Sequence, residues 1–195
     1  MVAYKNKGYT SEEYLTLEDR ANDKSEYFAG EIFAMAGGSF NHDMISGNVY
    51  AAFHQFARSK RCFAFTSNMK LLVQDNGLYT YPDAMLLCGR PQFAPGRTDT
   101  ITNPQVIVEV LSESTENYDR SKKFELYRAL ETFRDYLLID QNRVYIEYFH
   151  KVDLGGWLLT IVQDINMTLT IPSIGLDLPV QLLYEQVDWQ PLQTG

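Results

Sequence analysis

The sequence contains no apolar run near the roughly 20 residues needed to span a bilayer. The first eight residues carry lysines without a following apolar segment, so we expect no secretory signal and a cytoplasmic protein. A glycine-rich phosphate loop, a serine nucleophile elbow and a zinc-spaced cysteine set are also missing, which leaves several common enzyme classes without support. The two cysteines, Cys62 and Cys88, lie in apolar surroundings, and we expect reduced buried thiols rather than a disulfide or a metal pair.

Positive charge is scarce as well, because 17 lysines and arginines face 25 acids and leave a net charge of −8. A protein that coats nucleic acid would normally be basic. A metal-dependent nuclease is not excluded, since its site is itself acidic and bound cations change the local field. The 195 residues, 45% of them hydrophobic and 13% aromatic, indicate an ordered chain that most economically forms one domain, residues 1–195.

The order of apolar and turn residues predicts a mixed α and β chain with one sheet and few helices. Helices are predicted over 10–20, 42–58 and 116–130. Strands are predicted over 25–28, 31–36, 62–66, 69–74, 79–87, 106–111, 136–139, 144–149 and 157–163. The polar segment 90–103 is predicted to be a mobile loop, and the tail from Pro172 is predicted to wrap the domain.

Glu109 is the most informative residue, because it interrupts the otherwise apolar run Val106–Leu111. A short run rich in β-branched residues usually forms a strand that is buried on both faces. Burial of an isolated carboxylate is costly, so the charge must be neutralised, paired or bound to a metal. Glu109 is therefore a candidate site residue.

A second acid, Asp83, follows Pro82 inside another strand-like run. Proline cannot donate to a strand ladder and favours a strand start, an edge or a bulge, where the Asp83 carboxylate could be exposed. If the two strands are neighbours, Asp83 and Glu109 can point into one cleft. One or two carboxylates with water and phosphate oxygens are the usual ligands of magnesium, and the backbone carbonyl of Val110 could add another.

The helix predicted over 116–130 carries a lysine on its apolar face. At ~100° per residue the apolar arc consists of Phe124, Leu126, Tyr127 and Leu130. Lys123 lies near the centre of this arc, whereas Lys122 lies at its margin. A lysine in a buried stripe needs an anionic partner, so Lys123 is the more informative of the two, and Tyr127 could line the same cleft.

Ordinary structural roles explain the same residues. Glu109 and Lys123 could form a buried ion pair without catalytic work, and the residues alone do not decide between the two interpretations. For Glu26, an exposed position on a strand is commoner than a place in a site. For His42, a capping or packing role is commoner than a functional one.

Taken together, these residues resemble the Uma-type putative restriction endonucleases, a bacterial branch of the PD-(D/E)XK nuclease superfamily. The resemblance extends from about Tyr9 to Asp140, and the motifs that carry it are Ser25–Glu31, His42, Pro82–Asp83, Val108–Ser112 and Tyr118–Tyr127. It implies a restriction-endonuclease-like α/β fold, with a central mixed β-sheet flanked by helices.

The resemblance also implies roles for individual residues. Asp83 and Glu109 would be ligands of Mg²⁺ or Mn²⁺. The superfamily lysine normally follows the acid by two residues, but Leu111 occupies that position, and the resemblance to this branch implies that Lys123 replaces it. Glu26 and His42 match further family positions and would assist metal or substrate placement.

The leading hypothesis is therefore a metal-dependent endonuclease that hydrolyses DNA phosphodiester bonds. A homodimer is an expectation from the resemblance. One alternative is a catalytically silent interaction protein that keeps the fold, which the net acidity and Leu111 favour. Another is a nuclease that acts on RNA or a small phosphodiester through the same site.

Overall fold

The computed structural model describes residues 8–35, 37–113 and 115–189. Its strands are β1 Ser25–Phe28, β2 Glu31–Ala34, β3 Cys62–Thr66, β4 Lys70–Val73, β5 Leu78–Thr80, β6 Ala84–Cys88, β7 Thr100–Ile101, β8 Val106–Leu111, β9 Asp135–Asp140, β10 Ile146–Lys151, β11 Trp157–Val162, β12 Thr168–Ile171 and β13 Leu176–Pro179. Its α-helices are α1 Ser11–Glu18, α2 Phe40–Arg58, α3 Glu116–Tyr118, α4 Phe124–Tyr127 and α5 Val180–Leu183. A π-helical turn, Asp119–Lys123, joins α3 to α4, and a 3₁₀ turn occupies Asp153–Gly155.

A mixed six-stranded sheet forms the centre of the fold, in the order β11-β10-β9-β8-β6-β3. The neighbours β8 and β9 are parallel, and the other pairs in this sheet are antiparallel. Strand β8 is buried along its whole length, as its apolar sequence predicts. Val106, Val108 and Val110 face the core under α2, whereas Ile107 and Leu111 face a second core around Tyr127. The predicted central mixed sheet is confirmed.

The prediction of one sheet is wrong, because a five-stranded sheet, β2-β1-β5-β4-β7, lies beside the central sheet, and β12 and β13 form a small third sheet. The difference arises in the segment 79–87, which the sequence pattern predicts as one strand. It divides at Tyr81–Asp83 into β5 and β6, which belong to different sheets. Pro82 has no N–H to donate, so the ladder ends there and Asp83 enters the central sheet at its margin.

The predicted β1–β2 hairpin forms around Ala29 and Gly30, which have φ values of 49° and 87°. Two consecutive positive φ values are typical of the tight turn that joins such strands. The predicted end of the second strand at Ala36 lies outside the described residues. The first helix begins with the expected cap, since Thr10 accepts from the Glu13 N–H and Glu13 accepts from the Thr10 N–H.

Two other segments are more ordered or less regular than their patterns predict. The proposed loop 90–103 contains β7, which pairs in parallel with β4. The helix predicted over 116–130 is broken by the π-helical turn and ends at Tyr127. The tail does pack on the domain, but it first forms the β12–β13 hairpin.

No helix among the described residues is long and apolar enough to cross a membrane.

The prediction of two reduced thiols is wrong, because Cys62 and Cys88 form a disulfide. These residues are directly opposite each other in the antiparallel pair of β3 and β6. Opposed positions bring two Cβ atoms close enough for a bond, and this register is not visible in the spacing of the cysteines. The disulfide also bears on the expected cytoplasmic location, since disulfides persist mainly in oxidising compartments.

Candidate functional site

The pairing of β6 with β8 brings Asp83 and Glu109 together. Ala84 is opposite Val108, so Asp83 precedes β6 at the level of Glu109 on the neighbouring strand. The Val110 N–H donates to Asp83 Oδ2 over 2.7 Å and fixes this carboxylate against β8. The condition set for a shared cleft, that the two strands are neighbours, is met.

Glu109 is almost fully buried, with 3% of its surface exposed. Its Oε1 atom accepts a hydrogen bond of 2.7 Å from the Tyr127 hydroxyl and lies 3.0 Å from Lys123 Nζ. Burial raises the pKa of Glu109 well above its ordinary value, and the charge on Lys123 opposes that rise. The charge anticipated from the sequence is thus paired, as a buried carboxylate requires.

Lys123 is the centre of the acidic cluster. Its ammonium lies 2.9 Å from Glu26, 3.0 Å from Glu109 and 3.4 Å from Asp119. Burial opposes the charge on Lys123, but Glu109 and Glu26 outweigh burial and raise its pKa well above the ordinary lysine value. Lys122, by contrast, is exposed and pairs with Glu125, so the choice of Lys123 as the buried lysine is confirmed.

Asp119 is a member of the cluster that the sequence prediction missed. It is 2% exposed, and burial raises its pKa although Lys123 opposes the rise. Asp119 and Lys123 are four residues apart, so their shared helical face was a usable signal. The π-helical turn that spans both residues is a rare geometry found mostly as single turns, frequently at functional sites.

Glu26 joins the cluster from β1. The interpretation of an exposed strand acid is wrong, since only 3% of Glu26 is exposed. Thr80 donates to Glu26 Oε1 over 2.5 Å, while Oε2 is buried without a hydrogen-bond partner. Strand β1 lies between β2 and β5, and its pairing with β5 places this carboxylate 2.9 Å from Lys123 Nζ.

His42 approaches the cluster from the first turn of α2. Ser39 caps this helix by accepting from the His42 N–H, and His42 Nε2 lies 3.3 Å from Asp83 Oδ2. Burial opposes protonation of the ring, but the hydrogen bond and charge of Asp83 outweigh burial and raise the pKa of His42. A Cβ atom on Gly38 would lie 2.7 Å from His42 Nδ1, so the turn before α2 leaves room for the ring.

A cavity of about 970 Å³ opens above these groups. The sequence-predicted residues on its wall are Glu26, His42, Asp83, Glu109, Val110 and Lys123, and Asp119 lies with them. Tyr127 is fully buried behind Glu109, to which its hydroxyl donates, and it is not on the cavity wall, so the expectation that it lines the cleft is not met.

Comparisons with known proteins give the family and the fold of this chain. The family described as "Uma2: Putative restriction endonuclease" matches residues 11–181. The chain belongs to this family.

Among curated relatives, the uncharacterized protein slr1290 of Synechocystis sp. (strain PCC 6803) is 40% identical over 173 residues, which is 89% of this chain and 90% of that protein. The uncharacterized protein sll1609 of the same organism is 37% identical over 166 residues, 85% of this chain and 94% of that protein. Among solved structures, a putative nuclease of the DUF820 group from Anabaena variabilis covers 89% of this chain and 96% of its own, with a TM-score of 0.72 and 16% identity. The expected restriction-endonuclease-like fold is confirmed.

A Uma2-family chain with this fold is expected to hold a divalent metal, and the donor chemistry here fits one. Three carboxylates, Glu26, Glu109 and Asp119, surround Lys123, and Asp83 lines the same cavity. Glu26 Oε2 and Asp119 Oδ1 are buried without hydrogen bonds. No group of three His, Cys, Asp or Glu side chains at metal-ligand spacing occurs within the described ranges. Asp83 and Glu109 fit a hard cation that two carboxylates hold and that water and substrate oxygens complete, which is common for magnesium.

Proposed function

We propose that this protein is a Mg²⁺- or Mn²⁺-dependent endonuclease that hydrolyses phosphodiester bonds in DNA. The observation that carries the proposal is the convergence of Asp83, Glu109 and Lys123 at one cavity in a chain of the restriction endonuclease family. Asp83 and Glu109 would hold the cation, and the Val110 carbonyl would add a ligand. A bound cation supplies the charge that polarises a phosphate and lowers the pKa of a water molecule.

The residues around the two acids orient them for this task. The Val110 N–H and His42 Nε2 both contact Asp83 Oδ2, and the Tyr127 hydroxyl donates to Glu109 Oε1. Hydrogen bonds of this kind fix ligand orientation, and their loss typically costs metal affinity. His42 and Tyr127 are thus positioning residues, and Glu26 shares the same role through Lys123.

Lys123 would act as the cationic donor of the site. Lys123 reaches the cavity from the π-helical turn. The position where the superfamily has its lysine is occupied here by Leu111, which packs in the apolar core. A fixed ammonium in a recessed site can orient a water molecule or stabilise charge that develops on a phosphate. The carboxylates of Glu26 and Glu109 lie within hydrogen-bonding distance of the Lys123 ammonium and fix its position.

The decisive experiment measures Mn²⁺-dependent cleavage of labelled DNA by Asp83→Asn and Glu109→Gln. Both variants should lose cleavage while they keep the far-UV circular dichroism of the wild type. Asp75→Asn, which changes an exposed acid outside the cavity, is the matched control and should cleave normally. Wild-type cleavage by Asp83→Asn would contradict the assignment.

A catalytically silent binding protein is the second candidate, because Lys123 is already surrounded by carboxylates as in a structural ion pair. Calorimetric titration with Mn²⁺ separates the two. The nuclease should bind the cation and lose binding in Glu109→Gln, whereas a silent ion-paired core should show no heat in either protein. A matched RNA oligonucleotide in the cleavage assay tests the RNA alternative.

The proposed homodimer has a structural candidate surface at β11, the edge strand of the central sheet. Its residues Leu158, Leu159 and Ile161 are exposed, and the strand carries neither charge nor proline. An edge of this kind is a template for antiparallel pairing with a second copy of the same strand. Light scattering should give a dimer for the wild type and a monomer for Leu159→Lys, and a monomeric wild type would remove the proposal.

The cytoplasmic location is likewise a proposal, which the redox state of Cys62 and Cys88 in cells would test.

A further inference from the structure

The reactive groups lie at the floor of the cavity rather than on the surface. Glu26, Glu109, Asp119 and Lys123 are each at most 5% exposed. The cavity of about 970 Å³ corresponds to a cube roughly 10 Å on a side, whereas the major groove of B-DNA alone is about 12 Å wide. A rigid duplex is too wide to bring a phosphate to this floor, but a single strand or an extruded nucleotide is narrow enough.

The charge of the cavity points to the same conclusion. Lys123 is the only lysine or arginine among the described residues that line it, and acids make up the rest of its charged wall apart from His42. Duplex binding depends largely on phosphate contacts from lysine and arginine. Without a bound cation, affinity for a nucleic acid in this cavity must therefore come mainly from contacts to the bases.

Two exposed aromatic residues at the cavity wall supply such contacts. Phe40 is 57% exposed and Trp189 is 44% exposed, although both line the cavity. Asn41 holds the two sides of the wall together, because its amide donates to the Asp188 carbonyl over 2.7 Å and its Oδ1 accepts from the Asp188 N–H over 3.0 Å. The Trp189 ring also packs against Tyr184, with 5.4 Å between ring centroids.

We infer that the substrate enters as an unpaired segment of DNA whose bases stack on Phe40 and Trp189 while the backbone reaches the acids at the floor. Aromatic side chains bind single strands in this way because every base has a π-face. The inference rests on the proposed function for the reaction itself, but the stacking surface is a binding property that can be measured without turnover.

Trp189 provides its own probe. The chain has two tryptophans, and Trp157 packs in the second core against Phe133, so Trp157→Phe leaves Trp189 as the single tryptophan, whose emission is excited selectively above the tyrosine absorption. This protein is titrated in EDTA with a short oligothymidylate and with a duplex of equal length. The single strand should quench Trp189 saturably and bind about tenfold or more tightly than the duplex. Because few phosphates are neutralised, its affinity should depend weakly on salt.

Substitutions in the same background locate the effect. Phe40→Ala should weaken binding of the single strand about tenfold, while Phe63→Ala, which truncates another exposed phenylalanine, on β3 and outside the cavity, should leave it unchanged. Equal or tighter binding of the duplex, absence of quenching, or unchanged affinity in Phe40→Ala would overturn the inference.

A parallel cleavage assay with Mn²⁺ separates this inference from the nuclease proposal. Selective quenching without any cleavage would remove the nuclease and leave a single-strand binding site. Efficient duplex cleavage that Phe40→Ala does not alter would keep the nuclease and remove the stacking surface.

Discussion

Replacement of Lys123 by methionine tests whether this lysine holds the acidic cluster together. The change removes an ammonium that lies within 3.0 Å of both Glu26 and Glu109, and it keeps a side chain of similar length. The carboxylates would then be buried without a counter-charge. Breaking a buried pair by removal of one partner costs about 3–5 kcal/mol, and the 6% exposure of the Lys123 side chain leaves little solvent screening.

The loss should depend on pH in a defined direction. At neutral pH the loss of the Lys123 ammonium should have its full effect. The free energy of unfolding should fall by about 3–5 kcal/mol, which lowers Tm by roughly 10 °C for a protein of this size. At acid pH the neighbouring carboxylates protonate, so the cost should shrink. In the wild type the pKa of Lys123 is raised, so its stabilisation is present below the unfolded value of 10.5 and lost only as pH rises through the folded value.

Urea denaturation followed by circular dichroism at several pH values measures the effect. Lys122→Met is the matched control, because the adjacent lysine is exposed and its pair with Glu125 should contribute at most about 0.5 kcal/mol. A loss below about 1 kcal/mol for Lys123→Met at neutral pH would refute the idea that Lys123 carries the charge balance of the site.

The remaining predictions concern the groups that hold the site and the sheet. Burial raises the pKa of Glu109 above 4.5, so the folded state keeps a proton that the unfolded state loses. The free energy of unfolding should therefore fall as pH rises from about 4.5 toward the folded pKa, and Glu109→Gln should flatten this slope in urea titrations. Tyr127→Phe should cost about 1–3 kcal/mol in the same measurement, because Glu109 loses its buried donor. Reduction of the Cys62–Cys88 disulfide, 26 residues apart, should lower the stability by about 3 kcal/mol, and Cys62→Ser should be insensitive to reductant.

The central part of the site could be predicted from the sequence because local patterns determine it. An acid in an unbroken apolar run must be buried with a partner, and a lysine in an apolar helical arc must be buried with an anion. Glu109 and Lys123 satisfy each other at 3.0 Å. Pro82 predicts the strand start that places Asp83 beside them, but it does not predict that the strands before and after it belong to different sheets.

Other features depend on contacts that no local pattern encodes. Glu26 has the sequence context of an ordinary strand acid, and only the packing of β1 on β5 buries it. The disulfide depends on the register of β3 against β6, which the spacing of the two cysteines does not encode. The division into two large sheets follows from a break of three residues at Tyr81–Asp83, and Pro82 alone does not show whether the strand bulges or passes to a second sheet.

The position of the lysine shows how a helix can replace a strand position in the same site. Leu111 is on the same face of β8 as Glu109, but it packs in the second core with Tyr127 and is 3% exposed. A lysine there would need an anion among apolar neighbours. The π-helical turn instead carries Lys123 together with its own carboxylate, Asp119, so the charge arrives with a partner. Because this turn contributes both charges, a change in its helical register should disrupt the acidic cluster even if β8 is left intact.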